Sequence, residues 1–265
     1  MSRPTPRIWQ YWDTGEVPQY VSALIETFDP PNAELEHVVL SESEAEQVIR
    51  DGFSLREVAA FRACAVPAMQ ADYFRYCAIL AHGGIYVDVD YCCAGPLRPL
   101  LDQEASGELF TRPESYVIRG RTVQRLCNSF FVFEQAGHPL LELVLEIATA
   151  NLEEKICERV WQVGENVRES VWMTVGPGIF TMLHFLNVLG SFDELREVTA
   201  GTPAEPFMDL YCDVIGDRDR VTEAFSDVRV SPYDSMLRWV AVPEARLAYK
   251  DTPSHWQNVR TSIFR

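Results

Sequence analysis

The sequence predicts an α/β sandwich, and three observations carry that expectation. The first hundred residues alternate strand-like and helix-like stretches, the grammar of a layered α/β fold. A helix opened by Pro67 and closed by Gly83 runs into the apolar alternation Ile85, Val87, Val89, which has the two-residue period of a strand. Finally, 265 residues with 47% apolar content are enough for one large domain with a sizeable core.

Pro6 to Gly15 reads as a short first strand entering a turn. Tyr20 to Phe28 has helical spacing and is stopped by Asp29-Pro30-Pro31. Glu36 to Leu40 is the second strand. Ser41 or Ser43 caps a short acidic helix, and Ser54 with Glu57 three residues on forms a capping box. In the helix from Pro67, the residues Met69, Tyr73, Tyr76, Cys77 and Leu80 make one buried face. Glu108–Thr111 and Ser129–Phe133 read as strands, with the arginine-rich stretch 112–125 between them as a loop, either solvated or near phosphates or an acceptor. His138-Pro139 opens a helical region to about Val163. Gly176-Pro177-Gly178 breaks the chain before the apolar helix Ile179–Leu189. Val228–Val230 and Leu247–Tyr249 are expected as late strands. The expectation is a single domain over 1–265, with a helical elaboration at about 138–190.

A net charge of −16 argues against nucleic acid or an anionic membrane as the main partner. No run is long and apolar enough for a membrane span, and the polar start is no secretory signal. Seven cysteines, an odd number without metal-finger spacing, fit reduced core thiols in a cytoplasmic protein. Delivery elsewhere as an effector stays open.

The chemistry centres on Gly83-Gly84-Ile85-Tyr86-Val87-Asp88-Val89-Asp90-Tyr91. On a strand, Asp88 and Asp90 share a face and repel unless a cation lies between them. Oxygen ligands without His or Cys select Mn²⁺ or Mg²⁺, and so sparse a set leaves positions for substrate phosphates. Alone, the pair also fits a solvated edge strand. Asp72 and Arg75 are neighbours on the preceding helix. They form either a surface ion pair or a charged pair held beside the metal. At the other end, Asp251, Ser254 and Trp256 offer a carboxylate, a hydroxyl and a large ring within six residues. By themselves they are equally a loop with one buried tryptophan.

Together these pieces resemble the DXD-containing sugar-nucleotide glycosyltransferases: the family 32 mannosyl/galactosyl type and the glucosylating domain of the large clostridial toxins. Asp72-x-x-Arg75, Gly83-Gly84-Ile85-Tyr86-x-Asp88-x-Asp90 and Pro96-Leu97 carry the match over about thirty residues. Trp-Gln-Tyr-Trp at 9–12, Asn128-Ser129-Phe130 with Gly137-His138-Pro139, Gly176-Pro177 and Asp251-x-x-Ser254-x-Trp256 are similar to further family elements. Two positions depart: Trp9 stands where the family carries His, and Asp251 where the toxins carry Glu.

The resemblance implies a GT-A fold, a Rossmann-like α/β/α sandwich with a mixed central sheet and extra helices. It implies a retaining hexosyl or N-acetylhexosaminyl transferase, with Asp90 contacting Mn²⁺ (or Mg²⁺) directly and Asp88 holding ribose and sugar with some metal contact. Asp72 and Arg75 would bind sugar hydroxyls with Tyr86 beside them. Trp12, with Trp9, would serve the nucleotide, Trp12 by stacking on the base. Asp251 and Ser254 would complete the metal shell, Trp256 would close on the diphosphate, and Asn128 would face the anomeric carbon. The expected catalytic set is Asp88, Asp90, Asn128 and Trp256. A UDP-sugar is the first donor expected and GDP-mannose the second, with an acceptor that is a saccharide, a metabolite or a protein. The rival expectations are a catalytically silent nucleotide-sugar-binding protein and an Asp-x-Asp phosphatase-type hydrolase.

Overall fold

The computed structural model describes residues 5–118, 120–155, 167–241, 248–251, 255 and 264. Six strands form one mixed sheet in the order β2-β1-β3-β6-β5-β7: β1 (Arg7–Tyr11), β2 (Glu36–Leu40), β3 (Gly84–Val87), β5 (Gly107–Ile118), β6 (Arg121–Phe133) and β7 (Val228–Pro232). β1 runs parallel to β2 and β3, and β6 runs antiparallel to both β3 and β5. A small ladder pairs β4 (Cys92–Cys93) with β8 (Val240–Ala241).

The two-residue period of the strands sorts side chains into two cores. Ile8, Ile85, Val87, Phe130 and Val132 face one layer, built from Phe28, Leu35, Met236 and the short helix α5 (Arg98–Leu101), in chain order the fifth helix. Trp9, Tyr11, Tyr86, Phe131 and Phe133 face the other and larger layer. That layer holds α2 (Glu42–Gly52), α3 (Leu55–Ala63), α4 (Pro67–His82), α6 (Pro139–Glu154) and the helix Gly178–Leu189, while α1 (Gln19–Ile25) follows β1 in the chain. This is the expected α/β sandwich with a mixed sheet and extra helices.

Local rules explain the helix starts. Ser41 caps α2 and Ser54 caps α3, each in a reciprocal capping box with the glutamate three residues on. Pro67 stands at the first position of α4, where its missing N–H costs nothing.

Three expectations change. The stretch 112–125 is not a loop: it forms the outer arms of the β5–β6 hairpin, with register shifts on either side of Phe110–Thr111. Strand pairing over that distance is set by cross-strand partners, which local composition does not show. Asp88 and Asp90 do not share a strand face either, because β3 ends at Val87. The Asp88 N–H still reaches the Ser129 carbonyl (2.8 Å), and a turn follows in which the Tyr91 N–H donates to the Asp88 carbonyl (3.3 Å). Finally, Tyr249 belongs to the 3-10 turn Ala248–Asp251 rather than to a strand. Leu247 lies outside the described residues.

The junction between α4 and β3 fixes everything downstream. Gly83 and Gly84 both adopt positive φ, 70° and 110°. A Cβ on Gly84 would lie 2.4 Å from the Arg7 carbonyl oxygen of the adjacent strand, and one on Gly83 would lie 2.6 Å from that of Glu134. Trp9 locks the turn from beneath, donating Nε1–H to the Gly83 carbonyl (3.1 Å) and stacking on His82. We expect Gly84→Ala to lose about 3 kcal/mol or more in urea denaturation, from strain and clash together. Gly15→Ala, with open space around it, should stay within about 0.5 kcal/mol of the parent.

Candidate active site

α4 delivers Asp72 and Arg75, one turn apart, to the end of β3. Arg75 is 3% exposed and its guanidinium meets four acceptors. Nη2 donates to Asp88 Oδ1 and forms an ion pair with Asp72 Oδ1, both at 3.0 Å, while Nη1 donates to the Asn128 carbonyl (2.6 Å) and Nε to the Ala71 carbonyl (3.0 Å). Its Cζ lies 4.4 Å from the centre of the Tyr86 ring, and the Tyr86 hydroxyl donates to Asp88 Oδ1 (3.1 Å). The Asn128 side chain closes the set by donating to Asp72 Oδ1 (2.8 Å) and to the Tyr76 hydroxyl (2.9 Å). Tyr76 in turn donates to the Val175 carbonyl (2.8 Å) and, more weakly, to that of Gly176 (3.3 Å). The Gly176-Pro177 element thus supports the site through its backbone.

The electrostatics follow from burial. Burial pushes the Asp72 carboxyl up to about 7, with Arg75 opposing and Asp88 adding. Asp88 is pushed up to about 6, again by burial first, with Arg75 opposing and Asp90 adding. Burial works against the charge of Arg75, but Asp88, Tyr86 and Asp72 outweigh it and hold the guanidinium well above its usual range.

Asp90 lies two residues on, in the turn. Its Oδ2 is paired with the Lys250 ammonium, while its Oδ1 is buried and accepts no hydrogen bond among the described residues. Asp88 Oδ2 likewise accepts none among them. Among the described residues no group of three or more His, Cys, Asp or Glu could hold a metal ion. The chemistry present is a sparse carboxylate pair with one orphaned buried oxygen. That set fits a hard divalent cation whose remaining positions go to phosphates and water.

These groups line one cleft of about 730 Å³. Trp12, Asp72, Arg75, Asp88, Asp90 and Asn128 all reach it, so most of the expected site is gathered in one place. Trp12 stands at the rim, held by Nε1–H bonds to Thr14 Oγ1 (3.0 Å) and the Glu16 carbonyl (3.2 Å). Two expected contacts are corrected. Trp9 is in the core beneath the Gly83 turn, because odd-numbered β1 side chains face the large helical layer. Tyr86 is fully buried behind Asp88, a support for that carboxylate and not a cleft wall. Ser254, Trp256 and the side chain of Asp251 lie outside the described residues. The sequence did not single out Lys250, Tyr249, Trp172 or Asp13, which also line the cleft. A lysine directly before Asp251 was the one available signal. Arg112 and Arg125, already flagged as a basic stretch, line it too, with Arg125 over the Trp172 ring at 4.3 Å.

Residues 18–107 match the family described as "Glycosyltransferase sugar-binding region containing DXD motif", the family that the Asp88-x-Asp90 stretch resembles. The initiation-specific alpha-1,6-mannosyltransferase of Candida albicans is 27% identical over 203 residues, 68% of this chain and 52% of that protein. The protein of the same name from Schizosaccharomyces pombe is 29% identical over 174 residues, 57% of this chain and 41% of that one. The chain spans about half the length of the curated relatives it matches. A solved structure, PaToxG Glycosyltransferase, aligns with 97% of this chain and 86% of that one at 12% identity. The TM-score of that alignment is 0.45.

Arg75 is the group whose loss the cluster should feel most. An acid whose folded pKa is raised keeps protons that the unfolded chain has released. Stability from Asp72 and Asp88 therefore falls as pH rises from about 4 towards their folded values. Removing Arg75 raises those values further and deepens the fall. We expect Arg75→Met to cost about 3–5 kcal/mol at pH 8 and distinctly less at pH 5, read by urea denaturation at both.

Proposed function

We propose that this chain, built around a DXD-type sugar-binding region, is a metal-dependent glycosyltransferase moving a hexosyl group from a nucleoside-diphosphate sugar to an acceptor. The observation that carries the reading is the convergence of Asp72, Arg75, Asp88, Asp90 and Asn128 on one cleft, within and beside the matched stretch.

Each residue has a role that its surroundings suit. Asp90, with Asp88, would hold Mn²⁺ or Mg²⁺, and that ion, when bound, supplies countercharge for the departing diphosphate. Asp72 and Asn128, hydrogen-bonded to each other, present oxygen and amide groups for sugar hydroxyls and for the developing positive charge at the anomeric carbon. Arg75 neutralises the two carboxylates from within and keeps them in place. Trp12 at the rim offers a face for the base, and Tyr249 packs edge-on against it at 5.3 Å. Asp251, Ser254 and Trp256 are proposed to complete the metal shell and to cover the diphosphate, thereby excluding water. Retention of anomeric configuration is proposed from the resemblance alone.

For the donor we put GDP-mannose ahead of a UDP-sugar. Two of the matched relatives, those of Candida albicans and Schizosaccharomyces pombe, are named mannosyltransferases, whereas the uridine expectation rested on Asp251-x-x-Ser254-x-Trp256. The acceptor class stays a saccharide, a metabolite or a protein side chain.

The test is donor hydrolysis across GDP-mannose, UDP-glucose, UDP-galactose and UDP-GlcNAc, with Mn²⁺ and with EDTA. We expect GDP-mannose to turn over with metal only, and Asp90→Asn to lower the rate about 100-fold or more. Turnover that survives both EDTA and the substitution would refute the metal role. Absence of turnover and of binding for every donor would refute the class.

A further inference from the structure

Asp90 presents two facts that belong together. One of its oxygens is held by the Lys250 ammonium and the other is buried without a hydrogen-bond partner among the described residues. Lys250 belongs to the 3-10 turn Ala248–Asp251, whose Tyr249 rests against Trp12 at the cleft rim. Both Lys250 and Asp90 line the cleft.

The two cations paired with Asp88 and Asp90, Arg75 and Lys250, differ in freedom. Arg75 is fully buried and bound to acceptors on every nitrogen, so it cannot move without dismantling the cluster. Lys250 hangs on a flexible four-carbon stem with its side chain 32% exposed. A divalent ion on Asp90 would come within a few ångströms of that ammonium, and like charges at such range repel strongly in a partly buried site. The two cations therefore compete for the one carboxylate. An incoming diphosphate, however, brings new negative charge to the same cleft.

We propose that Lys250 is the resident counter-ion of Asp90 in the donor-free protein, and that a divalent metal displaces it onto the donor's diphosphate. This rests on the metal–diphosphate reading above and assigns a residue that the reading did not include. It makes Lys250 a competitor of the metal and an ally of the nucleotide. Metal binding alone must break the Lys250–Asp90 pair. With a diphosphate present, the freed ammonium gains a phosphate oxygen, so metal and nucleotide reinforce each other reciprocally.

The test is Lys250→Met in the full chain, which keeps the stem and removes the charge. Mn²⁺ binding without nucleotide is read by electron paramagnetic resonance titration, and GDP binding at saturating Mn²⁺ by calorimetry. We expect Mn²⁺ to bind about tenfold tighter in the variant and GDP about tenfold weaker, each equivalent to about 1.4 kcal/mol. The opposite signs separate this from a structural role, since local damage would weaken both. Unchanged or weaker Mn²⁺ binding, or unchanged GDP binding, overturns the inference while leaving the functional reading intact. Asp90→Asn should abolish Mn²⁺ binding. If it does not, the metal site itself is misplaced and both readings fall.

Discussion

One buried guanidinium holds this site together. Arg75 sits beneath the cleft and joins α4, the end of β3 and the start of the inner part of β6 through Asp72, Asp88 and the Asn128 carbonyl. Burying three charges is expensive, and an apolar trio of the same size would cost the fold less. The arrangement makes sense as preorganisation: it fixes two carboxylates and an amide in a wall where the proposed sugar substrate would meet them without further ordering. The double-glycine turn then places Asp90 a short step beyond, and Trp9 clamps that turn from the core.

The parts of the fold legible in the sequence were those governed by local rules. Ser54–Glu57 announces one helix start, Ser41 or Ser43 the one before it (Ser41 is the cap), and Gly83-Gly84 announces a turn that no side chain could make. Less legible were features that depend on distant partners. The arginine-rich stretch 112–125 reads as loop, yet cross-strand pairing from Ser115↔Gln124 to Ile118↔Arg121 makes its described residues the arms of a hairpin. Trp9 and Trp12 share one motif, but which of them faces the cleft depends on where β1 ends and on which layer covers its odd-numbered side chains. The Asp88-x-Asp90 spacing suggested one strand face, while the ladder stops at Val87, before either aspartate, and a turn takes over.

Within the site, sequence alone brought Asp72, Arg75, Asp88, Asp90, Asn128 and Trp12 forward, and the structure gathers all six on one cleft. It did not bring forward Lys250, because a contact across 160 residues has no local signature. Nor did it separate walls from supports: Tyr86 and Tyr76 hydrogen-bond Asp88 (3.1 Å) and Asn128 (2.9 Å), but both are buried and hold their neighbours in place. The acidic balance of the chain fits the same logic. With a net charge of −16, the chain would have to concentrate positive charge locally to accept the proposed nucleoside diphosphate. Here Arg75, Lys250, Arg112 and Arg125 all reach the one cleft.

The most direct test of the account is a crystal structure with GDP and Mn²⁺ bound. Metal density is expected beside Asp90 with the diphosphate in the same cleft, Lys250 withdrawn from Asp90, and Asp72, Arg75 and Asn128 lining the space for the sugar. A nucleotide seated elsewhere, or a diphosphate bound with no metal and Lys250 still on Asp90, would contradict it.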